Sequence, residues 1–205
     1  MIRTYREYFD ETSAISPNHK FEGKADGTQI TGFIGNGVNV VPGEGSVNYA
    51  GDGKTLAVHG SGTGAAPTVT IPTFTSEGIT PNRTEFNLDF KAVSLKDGAM
   101  KIAVIGKDGR VLTGLGFAES SDGTKLVGNH YSADLLTSFA CFYTADNLEG
   151  AEDISFELIY TYETGIMEIK VGDEKYVSIA GVTDGIGSVK IVFEGDALAE
   201  LDEAY

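Results

Sequence analysis

The stretch Ile154–Ile179, ISFELIYTYETGIMEIKVGDEKYVSI, decides the fold class of this chain. Apolar and polar side chains alternate along it with a period of two, which is typical of strands whose sheet has one buried face. Glu163-Thr164-Gly165 and Gly172-Asp173 interrupt the alternation, and glycine supplies the positive φ that tight turns need. The stretch therefore predicts three antiparallel strands in a meander, with the rings of Tyr160 and Tyr162 on the buried face.

The same alternation recurs along the rest of the chain, most clearly in Arg83–Ala92, where Phe86, Leu88 and Phe90 share one face. About fourteen short strands separated by turn signals are predicted. So many antiparallel strands in one open sheet would leave a face uncovered, whereas two packed sheets cover each other. We therefore expect an all-β protein built as a two-sheet antiparallel β-sandwich. No linker rich in Pro or Ser and no internal repeat divides the chain, so residues 1–205 are predicted to form a single domain.

The composition excludes several classes of partner. The 205 residues include 30 Asp and Glu against 15 Lys and Arg, which gives a formal net charge of −15. Nucleic acids and anionic membrane surfaces both require clustered positive charge, so neither is an expected partner. No apolar run approaches the ~20 residues of a membrane-spanning helix, so no membrane insertion is expected. Cys141, the single cysteine, has apolar neighbours and is predicted to be a buried thiol with no disulfide.

Several segments follow the strand pattern of a known superfamily: Tyr8–Glu11 (YFDE), Phe86–Lys91 (FNLDFK), Tyr162–Val171 (YETGIMEIKV), Ser188–Phe193 (SVKIVF) and Glu200–Tyr205 (ELDEAY). Together they resemble the concanavalin A-like, laminin-G-like jelly-roll superfamily, which includes carbohydrate-binding modules. The resemblance covers nearly the whole chain as a pattern of strands. It implies a jelly roll with a role in glycan recognition or adhesion.

The same resemblance implies a structural Ca²⁺ site where the first and last strands end side by side. The matching acids in this sequence are Asp10 or Glu11 together with Asp202. Ca²⁺ takes six to eight oxygen ligands, and it would neutralise carboxylates that otherwise repel one another. The alternative interpretation is that these acids are simply solvated at the strand ends.

The sequence contains partial matches to known catalytic and phosphate-binding motifs, but no complete motif. The jelly-roll glucanases of similar fold carry Glu-x-Asp-x-x-Glu on one strand, so that two acids face the same groove. In the segment Glu200–Glu203 the third acid has the wrong parity, and the segment lies in the last strand. Gly53-Lys54-Thr55 is not a phosphate-binding loop, because a strand rather than a helix follows it. His19, His59 and His130 are too far apart to form a His-x-x-x-His pair. The sequence therefore predicts no enzymatic activity.

Glycan binding requires an aromatic platform for the sugar ring, with amides and carboxylates for its hydroxyl groups. Tryptophan is the usual platform, and the sequence contains none. Segment 119–138 is the least regular part of the chain and is rich in polar residues, and Ser132 is predicted to cap one helical turn there. The candidate ligand-binding residues of this segment are Tyr131, Asn129, His130, Asp122 and Asp134, with Tyr49 and Tyr143 as secondary candidates elsewhere.

Two functions of different kinds are consistent with these observations. The first is a non-catalytic glycan-binding or adhesion module on a cell or particle surface, as part of a longer extracellular protein. The second is a structural or decoration protein of a phage virion, whose partner is a protein lattice. Residues 1–10, MIRTYREYFD, lack the apolar core of a secretion signal, which favours the second function. The jelly-roll resemblance and the polar segment 119–138 favour the first.

Overall fold

The computed structural model describes residues 7–8, 25–34, 37–51, 55–73, 83–146, 152–172, 174–179 and 185–204. It describes their side chains except at 7–8, 83–85, 145–146, 152, 174–179 and 202–204. Every strand pair among the described residues is antiparallel. None of these residues belongs to a helix that is long and apolar enough to span a membrane. The predicted all-β class is confirmed.

The described residues form two sheets of eight strands each. The strands of the first sheet are β1 (Glu7–Tyr8), β4 (Ser46–Ala50), β5 (Thr55–His59), β7 (Arg83–Ser94), β12 (Glu152–Thr161), β13 (Ile166–Val171), β14 (Glu174–Ile179) and β16 (Leu198–Ala204). Their spatial order is β14-β13-β12-β7-β16-β5-β4, and β1 pairs with the end of β16.

The strands of the second sheet are β2 (Gly32–Ile34), β3 (Val38–Val41), β6 (Thr68–Pro72), β8 (Gly98–Gly106), β9 (Val111–Glu119), β10 (Lys125–Tyr131), β11 (Ser138–Asp146) and β15 (Ile186–Gly195). Their spatial order is β11-β10-β9-β8-β15-β6-β3-β2. In both sheets a late strand, β16 or β15, lies between strands that are distant from it in sequence. This gives the predicted two-sheet jelly roll.

The inner faces of the two sheets share one hydrophobic cluster. Phe86, Leu88 and Phe90 of β7 are buried in it with Phe117 of β9 and Phe193 of β15. Their neighbours in the sequence point outward, so the period-two pattern correctly predicted which side chains form the core. We define the outer face of the second sheet as the face that points away from this cluster.

The meander of Ile154–Ile179 is confirmed as β12, β13 and β14. Phe156 pairs with Val171, and Met167 pairs with Ile179. Gly165 and Gly172 have φ values of +63° and +59°, the left-handed conformation that the turn signals predicted. Tyr160 is buried and Tyr162 packs partly against the core, as their parity predicted.

Two sequence predictions about the second sheet are wrong. Segment 119–138 is not irregular throughout, because it contains the strand β10. The part from Ser132 to Thr137 forms a tight turn and not the predicted turn of helix. The amide of Leu135 bonds the carbonyl of Ser132 at 2.8 Å, and the φ of +61° at Leu135 stops a helix from continuing. Cys141 is exposed rather than buried, because β11 is an edge strand whose outer face is open to solvent.

Candidate functional site

The outer face of the second sheet carries an unusual set of side chains at β8, β9 and β10. Met100 and Ile102 point into the core, so Lys101 between them points outward. Gly116 of β9 lies opposite Lys101, and Asn129 of β10 lies opposite Gly116 in the same cross-strand row. The next row places Tyr131 opposite Gly114. Strand register therefore brings a cation, an amide and an aromatic ring together on one face.

The turn 132–137, which joins β10 to β11, folds back over this face. A Cβ on Gly114 would lie 2.6 Å from Leu135 Cδ2, and a Cβ on Gly116 would lie 2.5 Å from Tyr131 Cε2. Both distances are too short for real side chains, so glycine is needed at each position for the turn and the ring to lie against the sheet. The ring of Tyr131 is half-buried in this arrangement.

Lys101 connects the turn, the ring and a neighbouring strand. Its Nζ donates to the carbonyl of Leu135 at 2.7 Å and lies 2.6 Å from Oε2 of Glu194 on β15. The same nitrogen is 4.9 Å from the centroid of the Tyr131 ring, within the range of a cation–π interaction. The Lys101 side chain is 8% exposed and that of Glu194 is 41% exposed, so the ion pair is buried on one side only. We call Lys101, Gly116, Asn129, Tyr131 and Glu194 the outer-face cluster.

Glu194 also lines a cleft at one end of the sandwich. The cleft has a volume of about 760 Å³, within the range of small-molecule sites. It lies between the turns that follow β7, β9 and β15, and its lining consists of Leu95, Lys96, Asp97, Gly98, Ala99, Glu119, Ser120, Ser121, Asp122, Gly123, Glu194 and Gly195. We call it the end cleft. Carboxylates and hydroxyl groups dominate this lining, so it suits a ligand rich in hydroxyl groups.

The predicted pair of aspartates is divided between the two ends of β10. Asp122 lies in the turn before the strand, and Asp134 lies in the turn after it. β10 has seven residues and spans about 23 Å at ~3.3 Å per residue. The two carboxylates therefore do not meet, and of the two only Asp122 lines the end cleft.

Each aspartate closes its own turn. Asp122 accepts hydrogen bonds from Ser120 Oγ at 2.5 Å and from Thr124 Oγ1 at 2.8 Å, and these bonds lower its pKa to about 2. Asp134 accepts from Ser132 Oγ at 2.5 Å and from the amide of Leu136 at 3.0 Å, which also lowers its pKa. Both groups stay ionised near neutral pH.

His130 does not join Asn129 and Tyr131, because successive residues of a strand point to opposite faces. Its ring points to the inner side, where it stacks on Phe139 at 5.7 Å and meets the edge of Phe142 at 5.1 Å. Burial lowers the pKa of His130. The prediction that these three consecutive residues form one site is wrong for His130.

The secondary candidates, Tyr49 and Tyr143, are buried against the core to different extents. Tyr49 is 3% exposed, so its ring cannot serve as a platform for a sugar, and burial raises the pKa of its hydroxyl group. The alternation in β4 places Tyr49 inward beside Val47. Tyr143 is partly buried against the core, with its ring 6.1 Å from that of Phe117. It faces the interior rather than the outer face.

A row of side chains continues from the outer-face cluster across the sheet. Strand register aligns, in order, Phe33, Asn39, Thr70, Lys190, Ala103, Gly114 and Tyr131. With ~4.8 Å between neighbouring strands, the row is about 29 Å long. Phe33 is 64% exposed at its far end, so an aromatic ring stands at each end of the row. Sequence patterns showed only that these residues point outward, because strand order is not visible in them.

The predicted metal ligands lie mostly outside the described residues. This holds for Asp10 and Glu11, while the backbone of Asp202 lies in β16 and its side chain is not described. β1 pairs with β16 through Glu7 opposite Ala204 and Tyr8 opposite Glu203, so the first and last strands do lie side by side. Among the described residues, no group of three or more His, Cys, Asp or Glu side chains is arranged to hold a metal ion.

Comparison of the sequence with protein-family models and with curated proteins finds no match. Comparison of the fold with solved structures finds proteins of similar fold. The CBM2 module of the evolved Dit from Lactobacillus casei BL23 phage J-1 is 10% identical with a TM-score of 0.53, over 100% of this chain and 96% of that one. A carbohydrate esterase from the Shiga toxin-encoding bacteriophage phi24B is 10% identical with a TM-score of 0.54, over 82% of this chain and 88% of that one.

A sialidase is 10% identical with a TM-score of 0.50 over 78% of this chain, but the chain spans only 16% of the sialidase. At these identities the likeness shows the fold alone. It confirms the predicted jelly roll, and it leaves the function to the argument from the site.

Proposed function

We propose that this chain is a non-catalytic glycan-binding module and that the outer-face cluster is its binding site. The observation that carries the proposal is the placement of Tyr131. Its half-buried ring lies against Gly116, beside the amide of Asn129 and the Lys101–Glu194 ion pair. A sugar presents an apolar ring face and a rim of hydroxyl groups, and this arrangement offers a partner for each.

The surroundings favour an extended ligand. The row from Phe33 to Tyr131 offers Asn39, Thr70 and Lys190 as hydrogen-bonding groups between its two aromatic ends. On the other side, Glu194 belongs both to the outer-face cluster and to the end cleft. A polysaccharide chain on this face would therefore meet polar groups on either side of Tyr131.

Electrostatics favour neutral or amino sugars over acidic ones. Among the described residues that line the end cleft, four are acidic, Asp97, Glu119, Asp122 and Glu194, and one is a cation, Lys96. The low pKa of Asp122 keeps its carboxylate charged at neutral pH. Together with the net charge of −15, this lining repels uronates, sialic acids and phosphorylated glycans.

Glycan binding is tested by affinity electrophoresis and on a glycan array. We expect retention on at least one neutral or amino-sugar polysaccharide, with at least tenfold lower affinity for Tyr131→Ala, which is about 1.4 kcal/mol. Leu198→Ala is the matched control, since Leu198 is exposed on the outer side of the first sheet. Retention on no polysaccharide would contradict the proposal, and retention on acidic glycans alone would contradict its charge argument.

A second candidate is a structural protein of a phage virion that binds a protein lattice. Two observations support it. Two of the similar structures come from phages, and they cover most of this chain. Phe139 on the edge strand β11 and Leu136 in the preceding turn are both largely exposed, and apolar side chains at a sheet edge suit a protein partner. Mass spectrometry of purified particles tests this candidate, which fails if the particles lack the chain.

A further inference from the structure

We infer that Lys101 is a positioning residue: its ammonium group holds the turn 132–137 closed over the outer face and fixes the ring of Tyr131 against Gly116. The consequence for ligand affinity rests on the proposed glycan binding. The clamp itself is a property of the free protein and is tested separately.

Lys101 provides a side-chain hydrogen bond that joins the turn to β8. The bonds of Asp134 to Ser132 and to the amide of Leu136 lie within the turn and shape it, while the Asp134 carboxylate also interacts electrostatically with Lys101 of β8. The turn reaches β9 through the side chain of Leu135 and the carbonyl oxygen of Ser132, which lie against Gly114. It reaches β8 through the carbonyl of Leu135, which accepts from Lys101 Nζ. Leu135 has a φ of +61°, a conformation that residues with a Cβ avoid, so it must be held by its surroundings.

Stability alone does not explain a lysine at this position. A charged side chain that is 8% exposed loses most of its hydration, and replacing both partners of a buried ion pair by apolar residues is often neutral or stabilising. Methionine would fill a similar volume without that cost. What methionine lacks is the directional contact to a carbonyl, a carboxylate and a ring face, and these three contacts converge on Lys101 Nζ.

The arrangement also links two surfaces. Glu194 reaches the end cleft, and Lys101 reaches Tyr131 and the turn. A ligand that binds Glu194 in the end cleft would therefore affect Tyr131 and the turn through its effect on the ammonium group of Lys101. If a ligand on Tyr131 requires the closed turn, its binding should in turn stabilise the closed state of the turn, because coupling between binding and closure is reciprocal.

Hydrogen–deuterium exchange of the peptide that covers residues 132–137 tests the clamp in the free protein. We expect Lys101→Met to raise the exchange rate of this peptide at least tenfold, while peptides of the first sheet keep their native exchange rates. Lys101→Arg, which keeps the positive charge and the hydrogen-bond donors, should retain most of the exchange protection of residues 132–137. Lys170→Met is the matched control, because it removes an ion pair of the same 2.6 Å length, with Glu157, from the first sheet. Unchanged exchange in Lys101→Met would overturn the clamp.

Affinity measurements on the polysaccharide that the native chain retains test the second half of the inference. Lys101→Met should bind it at least fivefold more weakly, and a saturating amount should slow exchange of residues 132–137 in the native chain. Equal affinities, despite faster exchange in the variant, would overturn the role of Lys101 in positioning Tyr131. If the native chain binds no polysaccharide, the proposed function fails, and the exchange result still decides the clamp.

Discussion

Oε2 of Glu194 lies 2.6 Å from Nζ of Lys101, on the face of the second sheet that points away from the core. The two residues occupy neighbouring strands, β15 and β8, which pair in antiparallel register. We expect a double-mutant cycle of Lys101→Met and Glu194→Gln to give a coupling energy of about 1 kcal/mol, since Glu194 is partly solvated. Chemical denaturation measures it.

The pair Lys170–Glu157 is the control for this cycle. Its Nζ–Oε2 distance is also 2.6 Å, but its lysine is more exposed to solvent. Glu157 is 27% exposed, less than Glu194 at 41%, so the two pairs differ chiefly in their lysines. Solvent screens the charge of the more exposed lysine, so we expect the coupling energy of the Lys170–Glu157 pair to be the smaller of the two. Equal values in the two cycles would show that burial of Lys101 does not strengthen its ion pair.

The core is predicted to tolerate truncation poorly at Phe117, which is fully buried and meets Phe142 and Tyr143 edge to face. Phe117→Ala should lower the free energy of unfolding by about 3–5 kcal/mol, because it removes buried apolar contacts and leaves a cavity. Phe33→Ala removes the same atoms from an exposed ring in the same sheet and should cost less than about 1 kcal/mol. Urea denaturation of both variants gives the comparison, and similar losses would argue against the assigned core.

Gly116→Ala should displace the ring of Tyr131, because the new Cβ would lie 2.5 Å from Tyr131 Cε2. We expect a loss of about 1–3 kcal/mol in the free energy of unfolding and weaker glycan binding. The double variant Gly116→Ala/Tyr131→Ala should recover part of the stability, since the clash is gone. Failure of the second substitution to rescue the first would show that the strain lies elsewhere.

Asp122 is predicted to titrate with a pKa of about 2, below the ordinary 3.8, chiefly because Ser120 and Thr124 donate hydrogen bonds to its carboxylate. A carboxyl whose folded pKa is depressed stabilises the fold above the unfolded pKa, and this contribution is lost as pH falls through the folded pKa. The loss should therefore fall between about pH 4 and pH 2. Carboxyl NMR titration checks the value, and Ser120→Ala should raise it. A pKa that Ser120→Ala leaves unchanged would contradict the assigned cause.

A structural Ca²⁺ at Asp10 or Glu11 and Asp202 remains a proposal, supported by the pairing of β1 with β16. If it is correct, a chelator should lower the melting temperature by several degrees, because metal binding stabilises only the folded state. Asp202→Ala should have a lower melting temperature without chelator and should no longer respond to it. A melting curve that chelator does not change would exclude a structural metal.

The candidate site was only partly predictable. The sequence predicts Tyr131 and Asn129 as binding residues because aromatic and amide side chains in a polar segment suggest sugar binding, and the strand register places both on the outer face. His130 was misassigned to the same site, because Gly128 and the run of polar residues hide the alternation of β10. Lys101 and Glu194 were missed. Each is an unremarkable outward residue of its own strand, and the sequence gives no sign that a distant turn covers Lys101.

The sequence by itself determined the strands, the turns and the inward residues, because a strand repeats every two residues and left-handed turns select glycine. Phe156, Leu158 and Tyr160 could be assigned to the core from their spacing alone. Only the tertiary structure decided which strands are neighbours. β15 lies against β8 and brings Glu194 to Lys101, while the turn after β10 buries that lysine under Leu135. Local periodicity reports which way a side chain points, whereas what it meets there depends on contacts between residues far apart in the chain.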